Sequence, residues 1–196
     1  MQPRWQLFGQ RLRLRPLMLA DAADVFAYAS DPCVTEFLEW KTHQALSDSI
    51  AFIEQSRSVH WHGITFAVEL LGADRVIGTV ELRVTSRAQA LGDIGYVLAR
   101  PFWGQGYNLE AGAMLLFYAF RIEGLRRVSA RCSPRNRRSA RTLEKLGMRQ
   151  QPMAAVRSVG AGIRSDLEYS LTNVEWARHP IHLFWRENIR WTRAGG

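Results

Sequence analysis

Two glycines one residue apart, Gly104-Gln105-Gly106, lie between an apolar run at residues 94–98 that reads as a strand and residues 109–120, which read as a buried helix. Glycine lets the backbone turn tightly and removes the side chains that would hold a ligand away from the amides. A helix starting there leaves its first N–H groups without intrahelical partners and points its positive dipole end at the same spot. Such a turn suits an anion, and a pyrophosphate would fit it; the same residues also serve as a strand-to-helix turn that binds nothing. A second concentration of charge lies downstream, where Arg126, Arg127, Arg131, Arg135, Arg137, Arg138, Arg141 and Lys145 crowd into one stretch. They raise the local positive potential and suit an anionic ligand, unless they form a solvated helix face.

Other chemistries find little support. Cys33 and Cys132 have no Cys-x-x-Cys spacing, and His43, His60, His62, His179 and His182 form no His-x-x-x-His pair, so no metal site is expected. The chain has 196 residues, 47% of them apolar, enough for the core of one domain. No run approaches the ~18 apolar residues of a membrane span. Residues 1–15 lack the apolar centre of a signal peptide, which points to the cytoplasm. The net charge of +8 allows nucleic acid as a partner, but without an RNP-type aromatic motif or zinc finger it is not expected as the main ligand.

Around the glycine turn the elements can be placed in order. Residues 11–15 alternate with period two as a first strand ending at Pro16. Helical spacing predicts helices over 21–30, stopped by Asp31-Pro32, and over 47–56, capped by Ser47 or a neighbour. Between them Glu36-Phe37-Leu38-Glu39-Trp40 reads as a packed connection, or as a loop over a cleft. Strands at 64–70, 76–84 and 93–98 form an antiparallel meander leading into the glycine turn. A strand at 127–132, a helix over 136–146 stopped by Gly147, and a strand at 166–171 complete the pattern, with a loose, glycine-rich region at 153–164. The expectation is a single α/β domain of the α+β type, with a mostly antiparallel central sheet and flanking helices. A Rossmann fold is excluded because the strands before the turn have no helices between them.

The series Gly95-Tyr96, Phe102-Trp103-Gly104-Gln105-Gly106-Tyr107, Glu110-Ala111, Asn136-x-x-Ser139 and Leu143-Glu144-Lys145-Leu146-Gly147-Met148 resembles the GNAT acetyltransferase superfamily, specifically its RimJ/RimL-like branch. The opening Arg11-Leu12-Arg13-Leu14-Arg15-Pro16 and the closing Asp166-Leu167-Glu168-Tyr169-Ser170-Leu171 with Glu175-Trp176 are similar to that branch too. The resemblance implies a GNAT domain over 1–176 that uses acetyl-CoA as cosubstrate. It implies the pyrophosphate on the amides of Gly104, Gln105, Gly106, Tyr107 and Asn108, and the pantetheine beside Tyr96, Val97, Leu98 and Ala99. Asn136 would hold the CoA arm, with Ser139 near the sulfur. One departure from the superfamily pattern is Pro101, where Gln or Arg is common.

Acyl transfer needs a neutral amine, a donor for the oxyanion and a proton for the leaving thiolate. Ser139 could supply that proton directly or through water, or simply pack the helix; by analogy the N–H of Val97 or Leu98 is the oxyanion donor. Two carboxylates could act as base, Asp93 at the start of its strand and Glu81, which shares a face with Thr79 and Arg83 that could equally be solvent. Waters alone could also carry the proton. The first expectation for the acceptor is a protein α-amino group of the ribosomal-protein type. The alternatives are a small amine such as a polyamine or antibiotic, or a non-catalytic CoA-binding or RNA-associated protein. Residues 177–196 lie beyond the resemblance; their apolar and aromatic residues suit a packed terminus, a cover for a sheet edge or a homodimer contact.

Overall fold

Alternating apolar residues define the strands, and each register follows from the face that must be buried. The structure, a computed structural model, describes residues 5–58, 63–152, 155–159 and 162–193, with the backbone alone for 155–159 and 162–165. Strands β1 (Trp5–Phe8) and β2 (Leu12–Pro16) lead through helices α1 (Ala22–Ala29), α2 (Pro32–Thr35) and α3 (Leu46–Arg57) to the meander β3 (Gly63–Leu70), β4 (Arg75–Ser86) and β5 (Leu91–Leu98). Helix α4 (Tyr107–Phe117), prolonged by a π-type turn, crosses to β6 (Arg127–Cys132). There follow α5 (Arg137–Lys145), β7 (Arg149–Gln150), β8 (Ala155–Val159), β9 (Gly162–Thr172), α6 (Asn173–Arg178), α7 (Pro180–Asn188) and β10 (Arg190–Arg193).

The sheet runs β10-β1-β2-β3-β4-β5-β6-β9-β7, with β8 on β9. Among the described residues only β5 and β6 pair in parallel, which needs the crossover that α4 supplies. One face of the sheet buries Leu14, Phe66, Val80, Leu82 and Ile94 against Met114, Leu115 and Leu116 of α4 and Leu143 of α5. The other packs Ala67 and Val76 against Val25 and Tyr28 of α1 and Ile53 of α3. The single α/β domain with its mostly antiparallel sheet and flanking helices is the one expected.

The sheet forks at its centre. β5 pairs with β6 only from Leu91↔Arg127 to Ile94↔Ala130. Beyond that point β5 stays with β4 as far as Leu98↔Gly78, while β6 continues to Cys132 against Leu167 of β9. Gly95, Tyr96, Val97 and Leu98 therefore lose their neighbour on one side.

One local expectation is corrected and two that offered alternatives are narrowed to one of them. Residues 155–159 and 162–164, read as loose, lie in two strands that pair antiparallel, while 153, 154, 160 and 161 fall outside the described residues. Ser47 does not cap α3. The Asp48 carboxylate does, reaching back to accept the amides of Gln44 at 2.7 Å and Ala45 at 3.0 Å. In the tail, β10 pairs with β1, Trp191 opposite Leu7, while Trp185 and Ile189 are buried.

Glu110, read from sequence as a first-turn acid suited to the helix dipole, has a larger structural role. Fully buried in α4, it accepts the amides of Arg11 at 2.8 Å and Leu12 at 3.2 Å and the Arg11 Nε at 2.9 Å. This ties the start of β2 to the helix that carries the glycine turn. Glu110→Ala leaves two main-chain donors unpaired, at roughly 1–3 kcal/mol each. Urea unfolding should report a loss of roughly 2–5 kcal/mol; a loss under about 1 kcal/mol would mean that water replaces the carboxylate.

Candidate functional site

A short helical turn at Arg100–Phe102 carries the chain from β5 to the glycines. Gly104 has φ +75° and Gly106 φ +82°, a left-handed backbone that other residues enter only with strain. A Cβ on Gly104 would meet nothing within 4 Å, so backbone conformation, not space, selects glycine there. Gly106 is the N-cap of α4 and no side chain caps that end, which leaves first-turn amides available. The turn is braced from outside. Arg11 Nη1 donates to the Gln105 carbonyl at 2.9 Å and the guanidinium lies 4.3 Å from the Tyr107 ring centre, while Gln105 Nε2 donates to Pro101 O at 2.7 Å.

A cavity of about 680 Å³ opens from this turn. Gly104, Gly106 and Asn108 lie at its edge, Tyr96, Val97 and Leu98 of β5 along it, and Asn136, Ser139, Arg138, Arg141 and Lys145 across from them. Of the residues expected there, Ala99, Gln105 and Tyr107 do not line it. The Ala99 amide bonds to Ile77 O, and the other two are committed to the brace. Arg138 lies over Trp103 at 4.6 Å, and Trp103 Nε1 donates to Leu98 O at 2.6 Å. Arg135 instead pairs with Glu36 at 3.3 Å and Arg131 with Asp93 at 3.1 Å, so the basic stretch divides between the cavity and ion pairs.

A second cavity of about 620 Å³ meets the first at Phe37, Leu38, Tyr96, Val97, Asn136 and Ser139, beside the fork. The segment read as a packed connection is thus a wall of both cavities, because Phe37 and Leu38 stand between them. At the junction Tyr96 Oη lies 2.9 Å from Ser139 Oγ, and either hydroxyl can donate. Burial drives the Tyr96 phenol far above its ordinary range, so it keeps its proton at neutral pH. Asn136 Oδ1 accepts the Ser139 amide at 3.1 Å and so caps α5. The bond from the Ala99 amide to Ile77 O fixes the alternation of β5. Val97 then turns its main-chain groups to β4, and Leu98 turns its own toward the open fork, in line with the Trp103 bond to Leu98 O.

The carboxylates lie in the second cavity. Period two puts Thr79, Glu81 and Arg83 on one face, and the register lines Glu81 up between Thr65 of β3 and Gly95 of β5. Asp93 is buried and receives both Arg83 Nη2 and Arg131 Nη2 at 3.1 Å. Among the described residues Glu81 has one ion pair, 3.4 Å from Arg83 Nε, and its buried Oε1 has no hydrogen bond. Burial raises the Glu81 carboxyl above its ordinary value; Arg83 opposes the rise, and Asp93 and Glu39 add to it. The two candidates therefore differ: Asp93 is held by two guanidinium groups, whereas Glu81 faces one and holds a proton more readily than an ordinary carboxylate. Sequence reasoning missed the site roles of Arg11 and Trp103, while the second of its two readings of the segment at 36–40, a loop over a cleft, is the one the cavities match; the Arg-x-Arg alternation of β2 was the one available sign of Arg11.

Among the described residues no cluster of three or more His, Cys, Asp or Glu is placed to hold a metal, and no helix is long and apolar enough to cross a membrane. Fold and site together define an α/β protein whose forked sheet opens a two-chambered cleft beside a helix start that no side chain caps. The chain belongs to the GNAT acetyltransferase family: the model of the acetyltransferase (GNAT) domain matches residues 11–149. It is 30% identical over 147 residues to the uncharacterized N-acetyltransferase p20 of Bacillus licheniformis, covering 74% of this chain and 83% of that one. It shares its fold with a GCN5-related N-acetyltransferase from Brucella melitensis, with TM-score 0.81, 21% identity and coverage of 94% and 85% of the two chains. The microcin C7 self-immunity acetyltransferase MccE, solved with acetyl-CoA and AMP, has the same fold at TM-score 0.72 and 19% identity, over 84% of this chain and 93% of that one.

Proposed function

We propose that this protein moves the acetyl group of acetyl-CoA to a primary amine, with the thioester lying in the fork between β5 and β6. The observation that carries this reading is the meeting of two cavities at Tyr96, Val97, Asn136 and Ser139. A phosphorylated donor enters from the glycine turn and an amine from the chamber of Glu81. The pyrophosphate rests on the amides of residues 104–108, and the pantetheine runs beside residues 96–99, where the strand edge is free. Arg138, Arg141 and Lys145 supply positive charge to the donor's phosphates.

The amine, deprotonated by Glu81 directly or through water, attacks the thioester carbon. The oxyanion is met by the Leu98 N–H, the C–S bond breaks, the thiolate takes a proton from the Ser139 and Tyr96 hydroxyl pair, and the extra proton on the new amide nitrogen returns to that pair through water. Asp93 fixes Arg83 and Arg131 rather than acting as base. The acceptor we favour is the one implied by the RimJ/RimL-like motifs, a protein α-amino group, in the cytoplasm. The small volume and acidic lining of the second chamber favour a small cationic amine as the second reading. Residues 177–196 are then an extension of the 1–176 domain. Thiol release from acetyl-CoA, followed with N-terminal peptides and small amines, tests the reaction; no release with any acceptor, despite acetyl-CoA binding, would leave a CoA-binding protein.

Ser139→Ala should lower kcat about tenfold to a hundredfold while acetyl-CoA affinity changes little, because the hydroxyl meets a charge that appears chiefly in the transition state. Tyr96 stays beside the sulfur in this variant, which limits the loss. Wild-type turnover would assign the proton to Tyr96 or a water.

A further inference from the structure

The second chamber differs in charge from the protein around it. The chain carries +8, yet five carboxyl groups line this chamber, Glu39, Asp48, Glu81, Asp93 and Asp166, against the arginines Arg83 and Arg131. Both arginines reach Asp93, and Arg83 also lies 3.4 Å from Glu81, so the carboxyl groups of the lining outnumber its guanidinium groups five to two. At the floor, Thr65 is 4% exposed and its Oγ1 has no hydrogen-bond partner, and across the strand pair the buried Glu81 Oε1 has none either. Buried polar atoms are rarely left unpaired, so this floor is shaped for a polar guest.

The far wall is aromatic. The Trp40 ring centre lies 5.0 Å from His43 and 6.2 Å from Phe52, and His43 lies 6.2 Å from Phe52. Burial lowers the His43 pKa, with Asp48 opposing, so the imidazole is neutral at pH 7 and does not repel a cation. Asp48 stands by the same wall as an anion, its carboxyl held below the ordinary range by the amides of Gln44 and Ala45. Rings with a carboxylate beside them attract a cation that has given up part of its water.

We propose that the acceptor carries two cationic groups: a reacting amine seated over Thr65 and Glu81, and a second, non-reacting cation received by Trp40, His43 and Phe52 with Asp48. The inference rests on the acetyl-transfer reading, and it names the acceptor by its chemistry. A monoamine fills only the reacting seat. A diamine fills both, as does a peptide whose α-amine is followed by a lysine.

The test compares pairs matched in size: diaminobutane with butylamine, and Ala-Lys amide with Ala-norleucine amide. Each is measured by kcat/KM with acetyl-CoA and by calorimetry with CoA present, for the wild type, Trp40→Leu and Trp40→Phe. The dicationic member of at least one pair should be favoured about tenfold or more, the size of one partly desolvated cation–π contact. Trp40→Leu should bring that ratio toward one, and Trp40→Phe should restore most of it. Preference in the diamine pair alone identifies a small polyamine-like acceptor, and preference in the peptide pair a protein end. Ratios within twofold of one in both pairs, or a ratio unmoved by Trp40→Leu, would overturn the inference while leaving acetyl transfer standing. If no probe is acetylated, the transfer reading falls, and the calorimetric ratios decide the two-cation inference alone.

Discussion

Gly106→Asp should abolish measurable acetyl-CoA binding in a protein that still folds. Three effects act in the same direction. At φ +82° a side chain strains the backbone by about 1–2 kcal/mol. The new Cβ would stand 3.4 Å from Arg11 Nη2, so the carboxylate draws in the guanidinium that now holds the Gln105 carbonyl, and the turn loses its brace. The charge itself sits at the first amides of α4, where a phosphate would bind, and repels it. Together these predict at least a hundredfold weaker binding by calorimetry, about 3 kcal/mol. Gly106→Ala carries the strain alone and should lose about five- to thirtyfold. An aspartate variant that folds and binds acetyl-CoA as the wild type does would remove the pyrophosphate from this turn.

What the sequence made legible was local. Alternation marked β2, the meander of β3, β4 and β5, then β6 and β9, and apolar spacing marked α1, α3, α4 and α5, because the helices bury their apolar residues against one face of the sheet or the other. The fork was not readable as geometry, since Gly95 to Leu98 have the same strand pattern with or without a neighbour. Neither was the contact of Arg11 with Glu110, which joins residues 99 apart. The pairing of β8 with β9 was obscured by the glycine-rich sequence around it, and β10 by a tail whose aromatics follow no strand period. Within the site, the glycine turn was plain from residue type, as backbone conformation is written in glycine. The choice between Glu81 and Asp93 was not, because it depends on which arginines reach which carboxylate in three dimensions.

That choice carries the other large effect, and Glu81→Gln tests it. Burial raises the Glu81 carboxyl, so its conjugate base is a better proton acceptor than an ordinary carboxylate. Glutamine keeps the size and a hydrogen-bonding oxygen but cannot accept the amine's proton, so kcat at pH 7 should fall about 10²- to 10⁴-fold. The pH profile should change with it. In the wild type, kcat/KM should rise with pH through the Glu81 pKa, which lies above the ordinary carboxyl range. In the variant that limb should vanish, leaving only the titration of the amine. Stability should move the opposite way. A carboxyl whose pKa is raised on folding binds its proton more tightly in the folded state, so it destabilises the protein as pH rises above the unfolded value, and the neutral amide lacks this cost. Glu81→Gln is thus expected to be at least as stable as the wild type at pH 7 by urea unfolding while losing most of its turnover, a pairing that simple damage to the fold does not give. If turnover and the acidic limb both survive, the amine loses its proton to a chain of waters. If Asp93→Asn alone removes the limb without unfolding the protein, the base is the carboxylate now held between Arg83 and Arg131.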